Sequence, residues 1–110
     1  MGASKSTHFS NEQNETAILF KSLGHPARIA IIEHIILTKG CICNDLVDVL
    51  PLTQSTISQH LRELKLANII QGSISGNSIC YCLNDETLKR IQTKLNMFIE
   101  TSEKKITLCC

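Results

Sequence analysis

Gly76-Asn77 stands between two runs, 69–75 and 78–83, rich in β-branched, aromatic and small residues. Two turn-forming residues between such runs predict a hairpin closed by a primed turn, whose backbone twist matches that of the flanking strands. Pairing outward from the turn sets Ser75 opposite Ser78, Ile74 opposite Ile79, Gly72 opposite Tyr81 and Ile70 opposite Leu83. That register gathers the large apolar groups on one face. Gln71, Ser73, Cys80 and Cys82 fall on the other.

Upstream of the hairpin the apolar period is helical. Ile18, Leu19, Phe20 and Leu23 predict a helix over about 14–23, ended by Gly24-His25-Pro26, with Pro26 suited to the first turn of the next helix. Ile29, Ile32, Ile35 and Ile36 predict that second helix over about 27–38, with Gly40 as its C-cap. Leu46, Val49 and Leu50 predict a short third helix over about 43–49, halted by the restriction Pro51 places on its neighbour. Thr53 is the expected N-cap of a fourth helix. Its apolar stripe of Ile57, Leu61 and Leu64 leaves Gln54, Ser55, Ser58, Gln59 and Arg62 facing outward. Beyond the hairpin, Leu88, Ile91, Leu95 and Phe98 step at heptad-like spacing, a seam suited to an equivalent helix, so a homodimer is expected.

At 110 residues the chain has room for one domain, and 43% hydrophobic against 19% charged residues is the balance of a chain that packs a core. The expected organisation is a polar N-terminal arm over 1–13, a domain over 14–101 and a C-terminal tail over 102–110 that carries the vicinal Cys109-Cys110. No apolar run approaches the roughly 20 residues of a membrane helix and no secretory h-region is present, so a cytoplasmic protein without membrane contact is expected. The Met1-Gly2 and Ser6 pattern is too short to carry a myristoylation assignment. Six cysteines are too sparse for a disulfide scaffold and in a reducing compartment point to free thiols, metal ligands or redox groups. No Cys-x-x-Cys, phosphate-binding glycine loop or nucleophile-base pair supports catalysis, so neither an enzyme nor an obligatory cofactor is expected.

Three helices, a tight turn between the third and fourth, and a terminal hairpin give a mainly α fold of winged helix-turn-helix order, dimerising through its terminal helices. In that order the fourth helix would enter the major groove of double-stranded DNA. Gln54 and Gln59 can donate and accept at base edges, Ser55, Thr56 and Ser58 permit close approach, and Arg62 suits phosphate or guanine. Asn77 at the wing tip is placed for the backbone or minor groove. A net charge of +1 supplies no general attraction to nucleic acid, so binding has to come from this local geometry.

The strings Leu19-Phe20-Lys21-Ser22-Leu23-Gly24-His25-Pro26-Ala27-Arg28, Cys41-Ile42-Cys43-Asn44-Asp45-Leu46 and Gln54-Ser55-Thr56-Ile57-Ser58-Gln59-His60-Leu61 resemble the ArsR/SmtB family over about residues 15–100. The resemblance implies a homodimeric winged-helix repressor that leaves its operator when an inducer binds, often a metal or metalloid ion. It also implies DNA contact by Gln54, Ser55, Thr56, Ser58, Gln59, His60 and Arg62. Cys41 and Cys43 resemble the Cys-x-Cys by which arsenic- and soft-metal-sensing members bind their inducer, at the start of the helix before the recognition helix. Thiolates select soft ions, and a helix N-terminus lowers thiol pKa. Residues i and i+2 of a regular helix point roughly 200° apart, so a shared ion requires that turn to be nonhelical.

This chain departs from the arsenic-sensor pattern. Asn44 precedes Asp45, and Leu46 fills the position of a third cysteine. Further ligands are expected from Cys109, Cys110 or a partner subunit, with arsenite or another thiophilic ion as inducer. The family's other zinc site, on the terminal helix, is excluded because residues 85–100 hold no histidine. An alternative keeps the DNA-binding fold and makes the thiols a redox or persulfide switch, Cys41 or Cys43 bridging to Cys109 or Cys110. A metal carrier or thiol protein without DNA binding is the third reading.

Overall fold

The computed structural model describes residues 8–38, 41–43, 46–75 and 78–109. The elements run α1 (Asn11–Leu23), α2 (Pro26–Leu37), β1 (Cys41–Cys43), α3 (Leu46–Val49), α4 (Gln54–Leu66), β2 (Ile70–Ser75), β3 (Ser78–Leu83) and α5 (Asp85–Cys109). This is the expected mainly α winged helix-turn-helix order.

Local chemistry accounts for the helix ends. Ser10 caps α1 in a reciprocal box, its hydroxyl accepting from the Gln13 N–H at 3.0 Å while the Gln13 side chain accepts from the Ser10 N–H at 3.0 Å. That cap starts the helix at Asn11, three residues before the expected start at about 14 and inside the segment expected as an arm; residues 1–7 of that arm lie outside the described residues. Thr53 caps α4, its hydroxyl accepting from the Thr56 N–H at 3.4 Å. α4 ends in a Schellman arrangement, with the Ile69 N–H on the Leu64 carbonyl and the Asn68 N–H on the Lys65 carbonyl, each at 3.0 Å. Asn68 takes the left-handed position at φ 60°, a role asparagine fills better than most residues.

β2 and β3 pair antiparallel in the register read from the sequence, Ser75 opposite Ser78 through Ile70 opposite Leu83. The turn residues Gly76 and Asn77, and the expected C-cap Gly40, lie outside the described residues. Two features differ from expectation. Cys41, Ile42 and Cys43 form a third strand rather than the start of a helix, so the sheet has the order β1-β3-β2 and α3 shrinks to a single turn. The ladder places Ile42 opposite Tyr81 and buries it to 4% exposure, an apolar gain that a helix at this point does not offer. Second, α5 continues through residues 102–109, where a tail was expected, because Glu103, Lys104, Lys105 and Leu108 favour helix. Cys110 lies outside the described residues.

The core joins both halves. Ile31 and Ile35 of α2, Ile57 and Leu64 of α4, and Ile69 and Ile70 at the entry to β2 are the most deeply buried large side chains. The α5 seam divides: Ile91 is buried and Leu88 packs against the core, whereas Leu95, Met97, Phe98 and Ile99 are about half exposed. α1 and α5 are clasped by Arg90–Glu15 at 3.3 Å, by a Lys94–Glu12 ion pair, and by Phe20 edge-on to Phe98 with centroids 6.3 Å apart. Among the described residues no helix is long and apolar enough to cross a membrane.

Candidate nucleic-acid interface

α4 presents its polar residues as its apolar period requires. Ile57, Leu61 and Leu64 are buried, while Gln54, Ser55, Ser58, Gln59 and Arg62 are exposed. Thr56 is half-buried and belongs to the cap, its hydroxyl accepting from that of Thr53 at 3.0 Å. Thr53 also lies 3.2 Å from the Ser55 hydroxyl. Gln54 Nε2 donates to Ser58 Oγ at 3.1 Å along the outer face. The first turn is thus a preformed row of amide and hydroxyl groups with limited freedom left to lose on docking.

His60 corrects the expectation that it faces DNA. It is 9% exposed, turned inward one turn after Ile57 and Thr56. Arg28 Nε donates to His60 Nδ1 at 3.1 Å, and Arg28 Nη1 donates to the Ser22 carbonyl at 3.3 Å. The His25 ring lies against His60 with centroids 4.5 Å apart and planes tilted by 48°. His25 is itself held as the N-cap of α2, its Nδ1 accepting from the Ala27 N–H at 3.0 Å. Burial, with further contributions from His25 and Arg28, lowers the His60 pKa below its ordinary value. A neutral imidazole that accepts at Nδ1 carries its proton on Nε2. This network ties the end of α1 and the start of α2 to the buried side of α4, so the helix is oriented from beneath.

Arg28 and His25 are the residues of this site that sequence reasoning passed over. Their string was visible, but the partner of Arg28 is 32 residues away and no periodicity links the two. Asn77, the expected wing contact, lies outside the described residues. Cys41 and Cys43 sit in β1 rather than at a helix start. Cys109 closes α5. Cys80 and Cys82 are disulfide-bonded. Among the described side chains, which leave out those of Cys41 and Cys43, no group of three or more His, Cys, Asp or Glu is arranged to hold a metal ion.

Residues 25–71 match the family of bacterial regulatory proteins described as the arsR family. An arsenical resistance operon repressor of Staphylococcus xylosus is 30% identical over 90 residues, covering 82% of this chain and 85% of that protein. The chain belongs to the ArsR family. A second relative of this ArsR-family chain, the transcriptional repressor SmtB of Mycobacterium tuberculosis, is 38% identical over 73 residues, covering 66% of this chain and 53% of that repressor. The match thus spans about half the length of the mycobacterial protein. An ArsR-like transcriptional regulator from Rhodococcus superposes with a TM-score of 0.75 at 19% identity, covering 90% of this chain and 92% of that one, which shows the shared fold. The relatives are named transcriptional repressors, and the family is one of DNA-binding regulators rather than enzymes.

Proposed function

We propose that this chain is a cytoplasmic homodimeric repressor that reads double-stranded operator DNA with α4 and leaves it when a soft metal or metalloid ion such as arsenite binds its cysteine thiolates. The exposed row Gln54, Ser55, Ser58, Gln59 and Arg62, on a helix anchored through His60 and Arg28, is the observation that carries the reading. Glutamine amides donate and accept at base edges, the hydroxyls let the helix backbone approach, and Arg62 meets guanine or phosphate. Thr56 supports the helix start, and Asn77 is assigned to the wing contact. His60 acts by orientation. Dimerisation is supported by the half-exposed apolar end of α5, whose Leu95 and Phe98 continue the seam begun by Leu88 and Ile91.

Cys41 and Cys43 are the inducer ligands in this reading, with Cys109 and Cys110 as further candidates. Soft thiolates match the ion class named for the staphylococcal relative. On a strand, residues two apart share a face, which removes the divergence a helix imposes. The reduced protein, bound to labelled DNA from upstream of its own gene, is titrated with arsenite, cadmium, zinc and a polysulfide under fluorescence anisotropy. Release by arsenite or cadmium supports the reading; binding without release by any of them removes the sensor half, and no binding overturns the whole. A thiol switch is the second reading, favoured by the disulfide-bonded state of Cys80 and Cys82. Release by polysulfide with recovery on reduction selects it.

A further inference from the structure

The sheet register sets Cys41 opposite Cys82 and Cys43 opposite Cys80. Directly opposed residues of an antiparallel pair share a face with Cα atoms about 4.5–5.5 Å apart, well inside the span a disulfide bridges. Residues two apart along one strand are separated by about 6.6 Å, at the far end of that span. Cys80 and Cys82 are disulfide-bonded, and the cysteines that stand opposite them are those of β1. The ladder therefore collects four of the six cysteines into a patch roughly 5 by 6.6 Å on one face of the sheet.

We propose that Cys41, Cys43, Cys80 and Cys82, once reduced, form a single thiolate site for a soft cation or metalloid, in which β3 supplies the ligands that β1 lacks. This rests on the soft-ion reading above and names the rest of its ligand set. Two thiolates, those of Cys41 and Cys43, leave a soft ion short of the four ligands of a closed tetrahedral site. Around a tetrahedral ion with metal–sulfur bonds of about 2.3 Å the sulfurs lie roughly 3.8 Å apart, a modest expansion of a patch already close enough to form disulfides. Each disulfide is opened by two equivalents of a monothiol such as glutathione, which deliver two electrons and two protons and leave as their own disulfide. A divalent soft cation then displaces the thiol protons, and arsenite exchanges its hydroxyls for thiolates with release of water. Cys80 is 9% exposed, so its side of the site is shielded from competing water. β1 leads into α3 and β3 is a strand of the wing. An ion shared between them fastens the entrance of the helix-turn-helix to the wing.

The test uses the full chain, reduced and anaerobic, without DNA. Cadmium and arsenite are each titrated while the thiolate charge-transfer absorption is followed. The wild type is expected to bind close to one equivalent per chain. C80S/C82S should weaken binding at least tenfold with an unchanged far-UV spectrum. Full affinity in C80S/C82S, or no binding by the wild type, overturns the site. A second measurement does not depend on the variants folding. Mild oxidation and non-reducing tryptic mapping should link the peptide 40–62 to the peptide 66–89. A bridge confined to 66–89 overturns the placement across the sheet. Operator binding in the absence of metal is measured separately: its failure removes the repressor reading and leaves the metal titration to decide this one.

Discussion

Arg28 donates its Nε–H to Nδ1 of His60 at 3.1 Å, joining the first turn of α2 to the inner side of α4. The contact leaves the outer face of α4 untouched while setting the angle at which that face is presented. Arg28→Ala removes the donor and leaves a buried acceptor unmet, which costs about 1–3 kcal/mol. A lowered midpoint in urea unfolding is expected, together with weaker operator binding from a helix whose Gln54, Ser58 and Gln59 are unchanged. Unaltered affinity in Arg28→Ala would show that the network has no part in presenting the helix.

The same network gives stability a pH dependence. The pKa of His60 in the folded chain lies below its ordinary value of 6.5, chiefly through burial and then through His25 and Arg28. As pH falls below about 6.5 the unfolded chain takes up a proton that the folded chain resists, so stability is full above that value and declines beneath it. Urea midpoints measured between about pH 7.5 and pH 5 should fall for the wild type. His60→Gln should flatten the contribution from this residue. An equal slope in the variant would assign the effect to other groups.

Recognition is expected to sit on Ser58 and Gln59. Ser58→Ala with Gln59→Ala should lower operator affinity by about 10- to 100-fold, the scale of about 1–3 kcal/mol for base-edge contacts, with the far-UV spectrum and oligomeric state unchanged. Arg62→Ala should instead flatten the dependence of affinity on salt if it meets phosphate. Retained affinity in the Ser58 and Gln59 variant removes α4 as the reading element.

The turn from α4 into the wing depends on one backbone conformation. Asn68 sits at φ 60°, where a β-branched side chain is strained. Asn68→Val should lower stability by about 1–3 kcal/mol, whereas Asn68→Gly should be close to neutral. Thermal melts of both variants check this, and equal melting of the two would remove the conformational argument.

What the sequence disclosed follows the range of the interactions. The hairpin register was legible because Gly76-Asn77 and alternating residues specify it within a few positions. The α4 stripe was legible because Ile57, Leu61 and Leu64 recur at helical period. β1 was not, since Cys41–Cys43 becomes a strand only by pairing with Cys80–Cys82, about 40 residues on. The inward turn of His60 was hidden for the same reason: its position beside Ser58 and Gln59 gives no sign of Arg28 on α2 or of His25 at the cap of that helix. Leu88 and Ile91 of the terminal seam serve the chain's own core, which heptad-like spacing alone does not distinguish from an interface.

That division of the seam tells where a dimer can be broken without unfolding the chain. Ile91 is 8% exposed, and a charge there would destroy the core together with any interface. Leu95 and Ile99 are 45% and 53% exposed and face away from the core of a single chain, so Leu95→Glu with Ile99→Glu leaves that core intact. In a homodimer the two substitutions place four carboxylates in an apolar contact, where desolvation and mutual repulsion oppose association. Light scattering should show the wild type at twice the chain mass and the variant near one chain mass, with an unchanged far-UV spectrum. Operator affinity should fall with dimer loss, because one recognition helix grips a single half-site where two grip a pair. A variant that stays dimeric would move the interface away from this end of α5.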